Sequence, residues 1–266
     1  MSEVKIAPIP DLGQRTDEIT IYAGPCSVES AEQFDEVAEC IADLGLTWIR
    51  GGAFKPRTNP HSFQGLGEEA LKIMKSAGDR YNLKTLTEVM DSAHCQLVAD
   101  YVDGLQVGAR NFQNFSLLKK IGEVTADTHQ MVLYKRGFAG TIAEWLAATD
   151  YLTAEGNDNV VLCERGIRTF ETATRFTLDI AAVPVIHKQS LYPVCIDVSH
   201  PAGQRDLVPS LAKAAVAAGA DSLMIEVHPN PPVALSDGPQ QLTPAQFREL
   251  VAELRELAAV LGKKIV

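Results

Sequence analysis

The first complete repeat of the chain is ITIYAGPCSVESAEQFDEVAECIADLGLTWIR, residues 19–50. It opens with Ile19–Ala23, a largely apolar run of the kind found in strands that are buried on both faces. Ala31–Leu44 follows with apolar residues at helical spacing, and Thr47–Ile49 is a second apolar run. Two such runs joined by an amphipathic helix predict a β–α–β unit with parallel strands.

The same alternation continues to the end of the chain. The predicted strands are Ile19–Ala23, Thr47–Ile49, Thr85–Val89, Gly104–Val107, Met131–Tyr134, Val160–Cys163, Val194–Val198 and Ser222–Val227. The predicted helices are Ala31–Leu44, Glu68–Ala77, Ala93–Asp100, Phe115–Ile121, Thr141–Leu152, Thr172–Ile180, Leu207–Ala218 and Ala245–Leu261. Eight strand–helix pairs in roughly 250 residues are typical of an α/β protein with the (β/α)₈ TIM barrel fold.

We therefore expect a single barrel domain over residues 19–266, preceded by a short N-terminal extension over residues 1–18. The alternative is a doubly wound open sheet. It is disfavoured because no Gly-x-Gly-x-x-Gly turn follows the first predicted strand.

Composition excludes several classes of protein. The chain has 266 residues and a formal net charge of −10, which argues against sequence-independent nucleic-acid binding. No apolar run approaches the roughly 18 residues of a membrane span, and the N-terminus lacks the features of a signal peptide. Five widely spread cysteines do not suit a secreted disulfide framework. We expect a cytoplasmic protein that binds neither membranes nor nucleic acids.

The segment Arg50–Gly67 departs from the acidic character of the chain. It contains Arg50, Lys55 and Arg57 but no carboxylate, and its glycines and prolines predict a loop with free backbone amides. Such a loop after a buried strand suits a phosphate or another small anion. The ordinary interpretation, a solvated turn whose cations pair with nearby carboxylates, stays open from this segment alone.

Active sites of (β/α)₈ barrels lie at the C-terminal ends of the strands, and in this chain every predicted strand leads into polar or ionisable residues. One set is cationic and would repel itself unless its ligands carry several negative charges, which predicts phosphorylated acids or sugars as substrates. Its members are Arg50, Lys55, Arg57, Arg110, Lys135, Arg165 and Arg168.

A second set combines a thiol, an imidazole and carboxylates. Its members are Cys26, His200, Glu226 and Asp237, with Asp197 and His228 nearby. These donors suit a divalent transition metal, and the first and eighth strands become neighbours when a barrel closes. Each residue also has an ordinary structural interpretation: a buried cysteine usually packs, as we expect of Cys163 and Cys195, and Asp237 could shape a turn.

Six motifs in this chain resemble those of the 3-deoxy-D-arabino-heptulosonate 7-phosphate (DAHP) synthases of the type I-beta class. They are Ala23–Ser27, the loop Gly51–Gly67, Leu105–Asn111, Glu164–Phe170, Asp197–Pro201 and Ile225–Pro229. The resemblance spans Ile19 to Leu261. It implies an enzyme that condenses phosphoenolpyruvate with erythrose 4-phosphate, the first step of the shikimate pathway of aromatic amino acid biosynthesis.

The resemblance also implies roles for individual residues. The implied metal ligands are Cys26, His200, Glu226 and Asp237, which would hold one divalent ion of manganese, iron, cobalt or zinc. The phosphoenolpyruvate pocket is implied to include Arg50, Lys55, Glu88, Arg110, Lys135 and Arg165. Arg57 and Thr58 match the residues that hold the phosphate of erythrose 4-phosphate. Lys55, Glu88, Lys135 and His200 are the candidate catalytic residues.

The chain departs from the family pattern in small ways. Phe176 stands where asparagine is expected, and Asn59 and His61 replace the usual serine and tyrosine. We expect neither a regulatory domain before the barrel nor a chorismate mutase domain after it, since the chain resembles the catalytic domain of the family alone. We expect a homo-oligomer, either a dimer or a tetramer.

Three alternative functions stay open. The related 3-deoxy-manno-octulosonate 8-phosphate synthases use arabinose 5-phosphate as the acceptor, although the segment Lys55–Thr58 favours a DAHP synthase. A Schiff-base aldolase could use Lys135 or Lys188. A non-catalytic barrel that binds phosphorylated metabolites is the alternative from a different class of protein.

Overall fold

The computed structural model describes residues 17–55, 59 and 61–266. In this part of the chain each predicted strand is present, with ends that differ from the prediction by at most one residue. The strands are β1 (Glu18–Gly24), β2 (Trp48–Arg50), β3 (Lys84–Val89), β4 (Gly104–Val107), β5 (Met131–Lys135), β6 (Val160–Glu164), β7 (Val194–Asp197) and β8 (Ser222–Glu226).

The strands form one closed parallel sheet. Consecutive strands are neighbours from β2 to β8, β8 pairs with β1, and β1 pairs in turn with β2. The register of the last pair sets Gly24 of β1 opposite Glu226 of β8. A short strand that the sequence analysis did not predict, β9 (Lys264–Ile265), pairs in parallel with the first two residues of β1. The predicted (β/α)₈ barrel is confirmed.

Helices cover the outside of the barrel. Those in the described residues are α1 (Ala31–Asp43), α2 (Glu68–Tyr81), α3 (Cys95–Ala99), α4 (Phe115–Thr125), α5 (Ile142–Thr153), α6 (Ala182–Gln189), α7 (Ser199–Ala202), α8 (Val208–Ala217) and α9 (Pro244–Val260). None of them combines the length with the apolar character that a membrane crossing requires.

Local sequence explains where several helices begin. The Ser30 side chain accepts a hydrogen bond from the Gln33 amide and caps α1. Thr141 and Glu144 cap α5 reciprocally. Thr243 and Gln246 do the same for α9, whose first residue is Pro244.

One predicted helix is wrong. Residues 172–180 form turns and an isolated antiparallel bridge between Ile167 and Thr177, and the helix before β7 is α6. The backbone amides of this segment have partners elsewhere: that of Phe176 donates to the Pro201 carbonyl at 3.1 Å, and that of Thr177 to the Ile167 carbonyl at 3.0 Å. Tertiary hydrogen bonds therefore override the helical spacing of the apolar residues.

The barrel has two apolar layers because side chains alternate along each strand. Tyr22, Leu86, Leu133 and Met224 point into the barrel interior, where Cys163 and Cys195 also pack, as predicted. The larger layer lies between strands and helices and includes the fully buried Trp145. Burial of each large apolar side chain stabilises the fold by about 1.5–3 kcal/mol. This packed interior supports the strand ends that carry the polar residues.

Candidate active site

The carboxyl ends of the strands surround a cavity of about 350 Å³. Its lining includes seven of the residues predicted from the sequence: Lys55, Glu88, Arg110, Lys135, Arg165, His200 and Asp237. Phe138, Arg175 and Phe176 also line the cavity. Cationic and acidic side chains from distant parts of the chain therefore share one pocket, as the strand-end argument predicts.

A cluster of potential metal ligands lies on one side of this cavity. The ligand atoms of Cys26, Glu226 and Asp237 all lie within 4.8 Å of one another. Cys26 follows β1 and Glu226 ends β8, so the β1–β8 pairing that closes the barrel brings them together. The Cys26 thiol donates to Oδ2 of Asp237 at 3.6 Å.

His200 completes this donor set from α7. Its Nε2 atom lies 3.6 Å from Oε1 of Glu226 and 3.7 Å from Oδ2 of Asp237. Its other ring nitrogen, Nδ1, lies 2.7 Å from Oδ2 of the buried Asp197. A carboxylate behind a metal-ligating imidazole fixes the ring orientation and its tautomer.

Burial shapes the ionisation of these ligands. Burial raises the pKa of the Cys26 thiol to about 12, and the negative charge of Glu226 adds to the effect. Burial lowers the pKa of the His200 imidazole, although Asp197 and Glu226 pull in the opposite direction. The imidazole is therefore neutral near pH 7 and keeps a lone pair for a metal.

The chemistry of the four side chains fits a divalent transition metal. Thiolate and imidazole are soft and borderline donors that suit manganese through zinc better than magnesium or calcium. Two carboxylates supply the negative charge that offsets the ion. The sequence prediction of Cys26, His200, Glu226 and Asp237 therefore corresponds to one compact cluster.

Arg50 and Lys55 lie directly beside the metal-ligand cluster. Nη1 of Arg50 donates to the Pro25 carbonyl at 2.6 Å and lies 3.4 Å from Oε1 of Glu226. Nζ of Lys55 donates to the Cys26 carbonyl at 3.0 Å and lies 3.1 Å from its Sγ. Burial is the largest influence on the pKa of Lys55 and by itself lowers it, but the combined effect of Cys26 and Glu226 outweighs burial and the pKa rises. These two cations thus offset negative charge at the cluster.

Lys135 is connected to His200 through Asp197. Its ammonium donates to Oδ2 of Asp197 at 2.7 Å, and both side chains are buried. Asp197 also accepts a hydrogen bond from the backbone amide of His200 at 3.1 Å. The sequence analysis noted Asp197 only as a neighbour of the metal ligands. Its signal was its place at the end of the buried strand β7, where a carboxylate needs a partner.

Arg165 is a buried cation held by aromatic rings. Its guanidinium carbon lies 4.3 Å from the ring centre of Phe176 and 5.0 Å from that of Phe138, and the two rings stack. In the described part of the chain its Nη1 atom has no hydrogen-bond partner. Burial lowers the pKa of this guanidinium. A desolvated cation with an unsatisfied donor beside the cavity is suited to bind an anion.

Glu88 faces the cavity from β3. Nε2 of Gln106 donates to its Oε2 atom at 3.1 Å. The absence of a side chain at Gly108 gives Glu88 its space, because a Cβ atom there would lie 2.1 Å from Oε1. The carboxylate is therefore fixed on the pocket wall, near the cationic residues.

Comparison with known proteins identifies the family. The family model described as the DAHP synthetase I family matches residues 12–261. The chain belongs to the DAHP synthetase I family. This agrees with the resemblance derived from the six sequence motifs.

Relatives within and near the DAHP synthetase I family support the assignment. Phospho-2-dehydro-3-deoxyheptonate aldolase from Thermotoga maritima is 51% identical over 246 residues, which are 92% of this chain and 72% of the relative. A 2-dehydro-3-deoxyphosphooctonate aldolase from Caulobacter vibrioides is 32% identical over 262 residues, covering 90% of this chain and 87% of the relative. The heptonate enzyme is thus markedly more similar than the octonate enzyme.

Solved structures agree with the family assignment. The crystal structure of the Thermotoga maritima DAHP synthase superposes with a TM-score of 0.91 at 49% identity, covering 96% of this chain and 74% of that one. A truncated form of the 3-deoxy-D-arabino-heptulosonate 7-phosphate synthase from the same organism gives a TM-score of 0.86 at 46% identity, covering 94% and 90%.

Two of the residues predicted for the site are not described by the structure, and three other residues make contacts that the sequence analysis did not predict. Arg57 and Thr58 lie outside the described residues, although Asn59 and Ser62 of the same loop line the cavity. His228 contacts Glu29, with Nε2 lying 3.4 Å from Oε2 of that residue. The sequence analysis did not name Gln240 or Arg175 as site residues, because neither residue belongs to a recognisable sequence motif.

Proposed function

We propose that this chain catalyses the condensation of phosphoenolpyruvate with erythrose 4-phosphate to give DAHP and inorganic phosphate. The observation that carries the proposal is one cavity with a metal-ligand cluster on one side and Lys135, Arg165 and Arg110 around it. The Thermotoga maritima relative, a phospho-2-dehydro-3-deoxyheptonate aldolase, supports the choice of substrates.

In this proposal the cations bind and orient the substrates. Lys135 and Arg165 are buried beside the cavity, and they hold the carboxylate and phosphate of phosphoenolpyruvate together with the exposed Arg110. Arg57 and Thr58 hold the phosphate of erythrose 4-phosphate. Fixing both substrates brings the vinyl carbon and the aldehyde carbon together, and well-oriented reactants lower a barrier by about 7–11 kcal/mol in favourable cases.

Cys26, His200, Glu226 and Asp237 are the proposed ligands of one divalent ion of manganese, iron, cobalt or zinc. When bound, such an ion supplies Lewis-acid polarisation of a carbonyl oxygen. Nε2 of His200 faces the cluster. A metal ion bound by this nitrogen would occupy the lone pair that His200 would need in order to accept a proton. The proton-transfer candidates therefore narrow to Lys55, Glu88 and Lys135.

The reaction needs one proton donor and one acceptor. The vinyl carbon of phosphoenolpyruvate forms a bond to the aldehyde carbon, whose oxygen takes up a proton. Water adds to the second carbon and gives up one proton. The bond between that carbon and the phosphate oxygen then breaks, its electron pair goes to the phosphate, and the remaining hydroxyl proton leaves with the phosphate as the ketone forms. We assign the donor to Lys55, because its ammonium lies on the metal side of the cavity, and the acceptor to Glu88, because its carboxylate is fixed on the wall.

The proposal also covers the cellular location, the oligomeric state and the binding partners of the enzyme. We expect it to act in the cytoplasm as a homo-oligomer, and its partners are the two phosphorylated substrates. Its five free cysteines, which are all buried, fit a reducing compartment.

A phosphate-release assay tests the proposed reaction. The metal-loaded protein is given phosphoenolpyruvate with either erythrose 4-phosphate or arabinose 5-phosphate, with and without a chelator. We expect rapid phosphate release with erythrose 4-phosphate and loss of activity with chelator. Faster release with arabinose 5-phosphate would assign the octonate reaction instead. No release with either acceptor would leave a phosphometabolite-binding barrel, and covalent trapping by borohydride would indicate a Schiff-base aldolase.

A further inference from the structure

Gln240 is a buried residue that touches the metal-ligand cluster without being a metal ligand of any usual kind. It ends a short 3₁₀ turn, Gly238–Gln240, that directly follows Asp237, and its exposed fraction is 1%. Its amide group contacts three charged side chains, the most distant being Asp237, whose Oδ2 atom accepts from Nε2 at 3.5 Å. Nε2 donates to Oε2 of Glu226 at 2.6 Å, and Oε1 accepts from Nη1 of Arg175 at 2.8 Å.

The hydrogen bond from Gln240 distinguishes the two oxygens of Glu226. Oε1 faces the cluster, 3.6 Å from Nε2 of His200 and 3.4 Å from Nη1 of Arg50. Oε2 is occupied by the Gln240 amide. A carboxylate with one oxygen held by a short hydrogen bond presents the other oxygen to a metal in a fixed direction. Gln240 therefore determines which oxygen of Glu226 is available.

Arg175 determines which way the Gln240 amide points. A guanidinium only donates hydrogen bonds, so it must face the carbonyl oxygen of the amide. This leaves the NH₂ group for Glu226, which can only accept. The reversed amide would set two donors against each other and two acceptors against each other, so it is excluded by both neighbours.

Arg175 is itself anchored near the cluster. Its Nη1 lies 3.1 Å from Oδ2 of Asp237, and its guanidinium lies 5.9 Å from the ring centre of Phe176. A glycine at position 203 leaves room for it, because a Cβ there would lie 2.7 Å from the Arg175 Cβ. The side chain thus connects the loop that carries Phe176 to two of the proposed metal ligands.

We propose that Gln240, oriented by Arg175, is a positioning residue of the metal centre that occupies Oε2 of Glu226 and reserves Oε1 for the ion. This inference rests on the proposed metal centre and adds the residue that sets the geometry of one ligand. Outer partners of metal ligands typically change metal affinity by about 10–100-fold when they are removed.

The test is a Co²⁺ titration of the full chain followed by absorption spectroscopy. Gln240→Leu removes the amide at similar volume. Gln204→Leu is the matched control, because this exposed glutamine lies in the same region but donates only to the Ala173 carbonyl at 3.3 Å. We expect Gln240→Leu to weaken Co²⁺ binding by about 10–100-fold and to change the d–d bands, while the thiolate-to-cobalt band from Cys26 persists. Gln204→Leu should match the wild type.

Arg175→Met gives a second measurement that does not depend on replacing a buried residue. Loss of a positive charge beside the site would, by charge alone, strengthen Co²⁺ binding. Loss of the group that orients Gln240 and Asp237 should weaken it, and we expect the weaker binding. Tighter binding by Arg175→Met would overturn the proposal, as would wild-type affinity and spectrum in folded Gln240→Leu.

The same titration separates this inference from the metal centre on which it rests. If the wild type gives no thiolate-to-cobalt band, the metal centre and the role of Gln240 fail together. If the wild type gives the band and Gln240→Leu matches it in affinity and spectrum, only the role of Gln240 fails. Circular dichroism of each metal-free variant establishes that the fold is retained.

Discussion

At the scale of single residues, the site depends on one buried carboxylate, Asp197, that contacts both His200 of the metal-ligand cluster and Lys135 of the cavity wall. The buried carboxylate of Asp197 lies 2.7 Å from Nδ1 of His200 and also accepts from Lys135 at 2.7 Å. It thereby fixes His200 with Nε2 toward the metal ligands and holds Lys135 at the cavity. Because the backbone amide of His200 also donates to this carboxylate, at 3.1 Å, one buried side chain has three partners and orients His200 and Lys135 together.

Cys26→Ser tests the thiol as a metal ligand. Serine keeps the size of the side chain but is a poor ligand for transition metals, so we expect metal affinity and activity to fall together. Affinity should fall by more than about 100-fold, because loss of an outer partner already costs about 10–100-fold. The measurements are metal content after dialysis and the rate of phosphate release.

The control for this variant is Cys40→Ser. Cys40 is also buried, but it lies on α1 with Sγ 3.9 Å from the Pro244 carbonyl. Cys40→Ser should retain the metal. Full activity of Cys26→Ser with metal still bound would contradict the assignment of Cys26.

Arg57→Ala tests the division of the loop between the two substrates. Removal of a charge-assisted contact to the phosphate of erythrose 4-phosphate should raise the KM for that substrate by roughly 10–100-fold, which corresponds to about 1.5–3 kcal/mol. The KM for phosphoenolpyruvate should change little. Steady-state kinetics with each substrate varied in turn measures both values. A larger effect on phosphoenolpyruvate would show that the loop is divided differently.

At the scale of elements, the end of β1 approaches the end of β2 so closely that only glycine fits between them. Gly24 has a φ of +148°, and a Cβ atom there would lie 1.9 Å from the carbonyl oxygen of Arg50. The two strands carry Cys26 and Arg50 just beyond or at this contact. The close approach therefore sets the distance between the first metal ligand and the cation beside it.

Gly24→Ala should destabilise the fold strongly. It adds a side chain at positive φ, which costs about 1–2 kcal/mol, and forces the strands apart, which costs about 1–3 kcal/mol or more. Gly219→Ala is the control, because Gly219 has a φ of +95° but a Cβ atom there would meet nothing within 4 Å. Urea unfolding measures both free energies of unfolding. Equal losses of stability in the two variants would show that the contact with Arg50 is unimportant.

At the scale of the whole molecule, the metal-ligand cluster spans the seam where the barrel closes. Cys26 follows the first strand and Glu226 ends the eighth, and these strands pair along five positions from Thr20 to Gly24. A metal held by both residues links the start of the domain to its end. Metal binding should therefore stabilise the closed barrel as a whole.

Metal should raise the melting temperature of the protein. A ligand at about 100 times its Kd stabilises the native state by about 2.7 kcal/mol, which in a domain of this size corresponds to several degrees. Differential scanning calorimetry with Mn²⁺, and again after addition of a chelator, measures the shift. Cys26→Ser should lose it. A shift that persists in Cys26→Ser would place the stabilising ion elsewhere.

The repeating strand–helix pattern, and the polar residues at the strand ends, can be predicted from the amino-acid sequence alone. Buried parallel strands are apolar over their whole length and end in polar residues, so their positions can be read from composition. The sequence also places a thiol, an imidazole and a carboxylate at or just after the ends of the first, seventh and eighth strands, and the proposed metal site is based on this placement. The helix predicted at Thr172–Ile180 failed, because its amides bond to distant residues such as Pro201.

The contacts that orient these polar residues, in contrast, depend on the three-dimensional fold. Gln240, Arg175 and Asp197 act through contacts with residues 14, 62 or 65 positions away in sequence, and local spacing carries no signal for such contacts. Phe138 and Phe176, the two aromatic residues that contact Arg165, also come from two separate loops. Hydrogen-bond direction and desolvation depend on neighbours in space, so the fold had to be known before these roles could be assigned.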